Sequence, residues 1–83
     1  MISADELSTR LKAAFPDAEV ALEDLTGGQD HWKAVIVTRA FEGLNPIARH
    51  RRVYAALAEE MKGPIHALTL TALTPDEPRP GRG

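Results

Sequence analysis

The sequence predicts an α+β domain of order α-β-β-α-β, a three-stranded mixed sheet with both helices on one face. Three observations predict it. Apolar residues recur at helical spacing between residues 7 and 15 and again between residues 47 and 61. Between and after these segments the pattern alternates or becomes rich in β-branched side chains, as strands require. Finally, the second helix lies between the second and third strands, so those strands run parallel through a right-handed crossover.

Ser3-Ala4-Asp5-Glu6 has the form of a capping box, with Ile2 and Leu7 spaced for the accompanying hydrophobic staple. Leu7, Leu11, Ala14 and Phe15 continue the first helix, and Pro16 disfavours helical geometry at Phe15 and ends it. Ala18 to Leu25 alternates, with Ala18, Val20 and Leu22 on one side, and reads as an edge strand. Thr26 to His31 has turn composition and predicts a flexible hairpin loop leading into a second strand, Trp32 to Arg39. Asn45 is placed to cap a second helix and Pro46 to open it. That helix is expected to run to Lys62, with Ile47, His50, Tyr54, Leu57 and Met61 as its inward stripe. Gly63 and Pro64 stop it, and Ile65 to Leu73 is the third strand.

A chain of 83 residues, 43% of them apolar, closes one modest core. The domain is expected over residues 1–74, with residues 75–83 (PDEPRPGRG) a flexible Pro/Gly/Arg-rich tail that has no large apolar side chain to order it. No apolar run approaches the ~20 residues of a membrane span, and Met1 to Phe15 lacks the pattern of a signal peptide. A cytoplasmic protein is the expectation. The net charge of -2 argues against nucleic-acid binding by bulk electrostatics, although a local basic patch exists.

The absence of cysteine removes disulfides, thiolate metal sites and thiol nucleophiles. The only serines, Ser3 and Ser8, both lie on the first helix, so an enzyme is hard to build. Gly27-Gly28 matches neither a phosphate loop nor a dinucleotide fingerprint. What remains is three histidines and a run of arginines. His66 stands at the start of an apolar strand, with the parity of Leu68 and Leu70. It reads either as a boundary histidine donating to a backbone carbonyl or as a ligand. His31, at the exit of the hairpin loop, reads either as a solvated turn residue or as the companion of His66. Parallel second and third strands put both at one end of the sheet, and neutral imidazole is a borderline ligand for zinc, iron or copper. A closed four-ligand site is not available from this chain, so a metal here would be shared with a partner. His50 reads as a core-edge residue of the second helix or as a helix-capping contact. Arg49, Arg51 and Arg52 flank it and oppose the helix dipole by about a few tenths of a kcal/mol each. Together with Arg39 they serve either an anionic partner or a solvated face paired with carboxylates such as Glu42.

Two segments, "DHWKAVIVTRAFEGLNPIARHRRVYAALAEEM" and "IHALTLTALTPDE", together resemble the BolA family. The resemblance rests on the His-aromatic-Lys entry to the second strand, Phe41-Glu42-Gly43, the Arg49-His50-Arg51 cluster with Val53 and Tyr54, and Ile65-His66-Ala67-Leu68. It implies a BolA-like fold similar to class II KH domains and a non-enzymatic role as heterodimer partner of a monothiol glutaredoxin. In that role a [2Fe-2S] cluster is shared with the glutaredoxin and glutathione. Thiolates hold one iron, and His66 and His31 are implied as ligands of the other, the pattern of the histidine-loop branch. Two neutral imidazoles in place of thiolates raise the reduction potential, as in Rieske centres, and a protonated ring cannot bind iron. The protein alone is then a monomer or weak dimer.

The family's second implied role is DNA-binding transcriptional regulation, here through Arg39, Arg49, His50, Arg51 and Arg52. KH domains grip backbone with a GXXG loop, and Gly43-Leu44-Asn45-Pro46 is only its nearest analogue. A metal-independent interaction module using the same arginines is a third class of reading.

Overall fold

A computed structural model describes residues 1–79 of the chain. Helix α1, Ala4–Ala14, opens on the expected capping box. Ser3 Oγ accepts the Glu6 N–H at 3.1 Å, and Glu6 Oε1 accepts the Ser3 N–H at 3.2 Å. Ile2 and Leu7, the staple pair, are both buried in the core. Strand β1, Glu19–Asp24, pairs antiparallel with β2, His31–Val37. Strand β3, Ala67–Leu73, pairs parallel with β2, so the sheet order is β1-β2-β3 and β1 is an edge. This is the predicted α+β architecture with its mixed three-stranded sheet.

The core lies between the sheet and the helices. Trp32, Ala34 and Ile36, alternate residues of β2, pack with Leu7 and Leu11 of α1, with Phe15 and Phe41, and with Val53 and Leu57 of the second helical region. The Phe15 and Phe41 rings meet at a centroid distance of 5.4 Å. On the opposite strand parity, Glu19, Ala21, Glu23, Lys33 and Thr69 are exposed, as a sheet covered on one face requires. No helix among the described residues is long and apolar enough to cross a membrane.

The second helix departs from the sequence reading in two ways. It is two segments, α2 over Pro46–Ala56 and α3 over Ala58–Lys62, with the buried Leu57 leaving helical geometry between them. Asn45 and Pro46 begin it as expected, Asn45 Oδ1 accepting the Ala48 N–H at 2.8 Å. Its inward stripe keeps Leu57 and Met61 but is otherwise shifted. Val53, Leu57 and Glu60 are buried and Arg49 is largely covered, whereas Ile47 is 65% and Tyr54 39% exposed. Two charged residues occupy the inward face because each has a partner. Arg49 binds Glu77, and Glu60 meets Arg10 at 3.2 Å. A stripe chosen by apolarity passes over both.

The expected tail is likewise tied down where it begins. Glu77 returns its carboxylate to the Thr74 N–H at 2.9 Å and donates its own N–H to the Thr74 carbonyl at 3.1 Å, and Arg79 pairs with Glu19 at 2.9 Å. The remainder of that segment, residues 80–83, lies outside the described residues.

Candidate functional site

The end of the sheet where β2 and β3 begin is assembled from the hairpin loop. Asp24, the last residue of β1, folds the loop around its carboxylate. Oδ1 accepts the N–H groups of Thr26 (3.3 Å) and Gly27 (2.9 Å), and Oδ2 accepts that of Gln29 (3.1 Å). Gly27 and Gln29 take the left-handed region, at φ 82° and 59°. The flexible loop expected from Gly27-Gly28 is therefore an internally bonded turn. Thr26 Oγ1 then donates to Asp30 Oδ1 at 3.0 Å, and Asp30 Oδ1 lies 3.0 Å from His31 Nδ1.

His31 is the first residue of β2 and stands opposite Ala67 in the parallel pairing. One residue earlier, His66 occupies the bend that leads into β3, anchored by the fully buried Ile65 before it. Strand parity assigns His31 and His66 to opposite faces, yet their rings lie with centroids 5.2 Å apart and planes inclined by 42°. Parity does not apply at His66, because the pleat has not begun there. The His66 ring is exposed and makes no hydrogen bond among the described residues, so the donation to a carbonyl weighed from the sequence is absent from that set. The His31 side chain is 36% exposed. Among the described residues no three His, Cys, Asp or Glu side chains converge on a metal position, so an ion held between these rings needs ligands from elsewhere.

The arginines do not form one patch. Arg49 is removed from it. Its Nε donates to the Leu44 carbonyl at 2.9 Å and its Nη1 to the Ala72 carbonyl at 3.1 Å. Nη1 and Nη2 also meet the two Glu77 oxygens at 2.6 and 3.1 Å. The expectation that Arg49 touches an anionic partner is corrected: four of its five N–H donors are engaged within the domain. The pair pushes the Glu77 carboxyl down to about 2, through the Arg49 hydrogen bonds first and the Thr74 N–H second, and raises the Arg49 guanidinium. Arg51 and Arg52 remain exposed on α2, the Arg52 guanidinium lying 6.0 Å from the centre of the Phe15 ring. His50 is half-buried beside them. Arg39 is exposed in a single turn of 3-10 helix, Arg39–Phe41.

Three carboxylates that the sequence reading did not single out organise these surroundings. Asp17 accepts the Thr38 hydroxyl and the Arg39 N–H, and those two bonds hold its carboxyl below the ordinary range. Asp30 is lowered by its bonds to His31 and then Thr26. Glu77 is the third. The Asp30-His31 adjacency was the one local signal; Asp17 and Glu77 act across 21 and 28 residues, beyond what spacing reveals.

The family described as BolA-like protein matches residues 8–77. The Homo sapiens protein BolA-like protein 1 is 41% identical over 76 residues, covering 83% of this chain and 56% of that protein. The chain thus spans little more than half the length of the mammalian relatives it matches most fully. A Haemophilus influenzae protein named DNA-binding transcriptional regulator BolA is 43% identical over 51 residues, 61% of this chain and 50% of the other. Of solved structures, BolA1 from Arabidopsis thaliana superposes with a TM-score of 0.84 at 31% identity, covering 95% of this chain and 100% of that one. A bolA protein homologue from Coxiella burnetii gives 0.78 at 32% identity, covering 92% and 95%.

Proposed function

The chain belongs to the BolA-like family, and from that membership and the paired imidazoles we propose that it is a non-enzymatic iron-sulfur adaptor. It co-ligates a [2Fe-2S] cluster with a monothiol glutaredoxin and glutathione, for cluster trafficking or iron and redox regulation in the cytoplasm. His66 and His31 are its ligands, and without the partner the protein is a monomer or weak dimer.

The observation that carries the reading is the 5.2 Å approach of the two rings at a solvent-facing end of the sheet. A metal about 2.1 Å from an imidazole nitrogen holds two rings with centroids about 5 Å apart at a tetrahedral ion. The donor set fits as well. Two neutral nitrogens suit one iron of a cluster whose remaining ligands are thiolates, and this chain contains no cysteine to supply those itself. His66 stands on a bend anchored by buried Ile65, and His31 opens β2 directly after a loop gathered around Asp24. The chain therefore offers both nitrogens from supported backbone, and the exposure of the rings leaves room for a partner's sulfur atoms.

The test is co-purification of the two proteins with iron, sulfide and glutathione. A heterodimer with a cluster spectrum distinct from that of the glutaredoxin alone supports the adaptor role. An unchanged spectrum in either His66→Ala or His31→Ala rejects the ligand assignment.

A second reading, DNA binding for transcriptional regulation, draws on the name of the Haemophilus influenzae relative and on the exposure of Arg39, Arg51 and Arg52. Without Arg49, three arginines and the half-buried His50 remain for phosphate contact. Sequence-discriminating binding that survives ~0.2 M salt would favour it.

A further inference from the structure

We propose that Asp30 is the positioning residue of the two-imidazole site. Its carboxylate holds the His31 ring with Nδ1 protonated and Nε2 free, while its backbone carbonyl anchors the segment that carries His66. The purpose of this arrangement rests on the reading of His31 and His66 as ligands; the arrangement itself rests on geometry alone.

An ionised carboxylate can only accept hydrogen bonds. The 3.0 Å contact between Asp30 Oδ1 and His31 Nδ1 therefore puts the ring proton on Nδ1. In the neutral ring the lone pair then lies on Nε2, the nitrogen turned away from Asp30. The carboxylate is itself held, by the Thr26 hydroxyl at 3.0 Å. Its main chain does a second task. The Asp30 carbonyl accepts the N–H of His66 at 2.7 Å and that of Ala67 at 3.2 Å, which ties the bend before β3 to the loop before β2. One residue thus orients the first ring through its side chain and fixes the base of the second through its backbone. Carboxylate-histidine pairs at metal sites set the tautomer and ring direction, and losing the carboxylate typically lowers metal affinity about 10- to 100-fold.

Nitrogen NMR of the metal-free protein, recorded where the ring signals no longer change with rising pH, reads the tautomer of the neutral ring directly. His31 is expected to show a protonated Nδ1 and a bare Nε2. In Asp30→Ala it should move toward the Nε2–H form that free imidazole favours, and Asp30→Asn, which keeps an acceptor oxygen, should move it back. A wild-type His31 already in the Nε2–H form overturns the proposal, and so does a tautomer indifferent to Asp30→Ala. The wild-type measurement decides the matter even if the alanine variant does not fold. Titration with Ni²⁺ alone gives a second readout. Broadening of both ring signals should require about 10- to 100-fold more metal in Asp30→Ala, and an equal requirement overturns the proposal. A correct tautomer combined with a cluster spectrum blind to His31→Ala would leave Asp30's role standing and sink the ligand assignment instead.

Discussion

Arg49 and Glu77, 28 residues apart, meet in a two-pronged ion pair, Nη1 to Oε1 at 2.6 Å and Nη2 to Oε2 at 3.1 Å. The same guanidinium binds the carbonyls of Leu44 and Ala72, so one side chain joins the entrance of α2, the end of β3 and the segment that follows it. Glu77 titrates at about 2 in the folded chain against an ordinary 4.5. A carboxyl depressed on folding stabilises the native state above its unfolded value and loses that contribution as pH falls through its folded value. Wild type should therefore melt above Glu77→Gln at pH 7, and the gap should narrow below about 4.5 and close near 2. Thermal unfolding followed at several pH values checks this, and a gap independent of pH would show that the pair contributes nothing through its charge. Glu77 is partly exposed, so added salt should shrink the gap as well.

The shifted stripe of α2 makes a second prediction. Leu57 is fully buried in the core, whereas Tyr54 is 39% exposed. Leu57→Ala should cost about 2–5 kcal/mol of stability by leaving a cavity. Tyr54→Ala should cost less, because 39% of that residue already faces solvent. Urea midpoints of the two variants separate them, and an equal loss in both would mean that Tyr54 packs inward, as the apolar stripe read from the sequence has it.

That stripe shows where the sequence was legible and where it was not. The caps at Ser3 and Asn45, the alternation of β1 and the parallel pairing of β2 with β3 all follow from residues close in sequence, or from one connection. The approach of His31 and His66 followed in turn from that pairing, since parallel neighbours begin at the same end. What stayed hidden depends on distant partners. Arg49 and Glu60 face inward only because Glu77 and Arg10 are there to meet them, and no local pattern announces such a pair. The order of the loop is hidden for a related reason. Gly27-Gly28 signals freedom, but the Asp24 carboxylate that gathers the turn belongs to the preceding strand.

Gly27 carries a third prediction. Its φ of +82° is one that residues with a Cβ rarely adopt, yet an added Cβ would meet nothing within 4 Å. Gly27→Ala should therefore act through backbone conformation without a clash, costing about 1–2 kcal/mol. Urea unfolding measures the loss. A neutral result would mean that the turn relaxes to another conformation, which the spacing of the His31 and His66 rings, followed by NMR, would then report.

The exposed arginines limit what the predicted basic cluster can contribute to any attraction to nucleic acid. Arg39, Arg51 and Arg52 are exposed and have no ion pair among the described residues, while Arg49 is engaged in one. Three phosphate contacts give a slope of about -2.7 for log affinity against log salt, so raising salt from about 50 to 200 mM should weaken binding about 40-fold. Joint replacement of Arg51 and Arg52 by Ala should bring that slope to about -0.9, and replacing Arg49 should leave it unchanged once the variant is shown to be folded. Titration of a labelled duplex at several salt concentrations decides the point. A slope that Arg49→Ala reduces in the folded variant would mean that the ion pair with Glu77 opens to release its guanidinium. The domain's basic face would then be larger than its folded geometry presents.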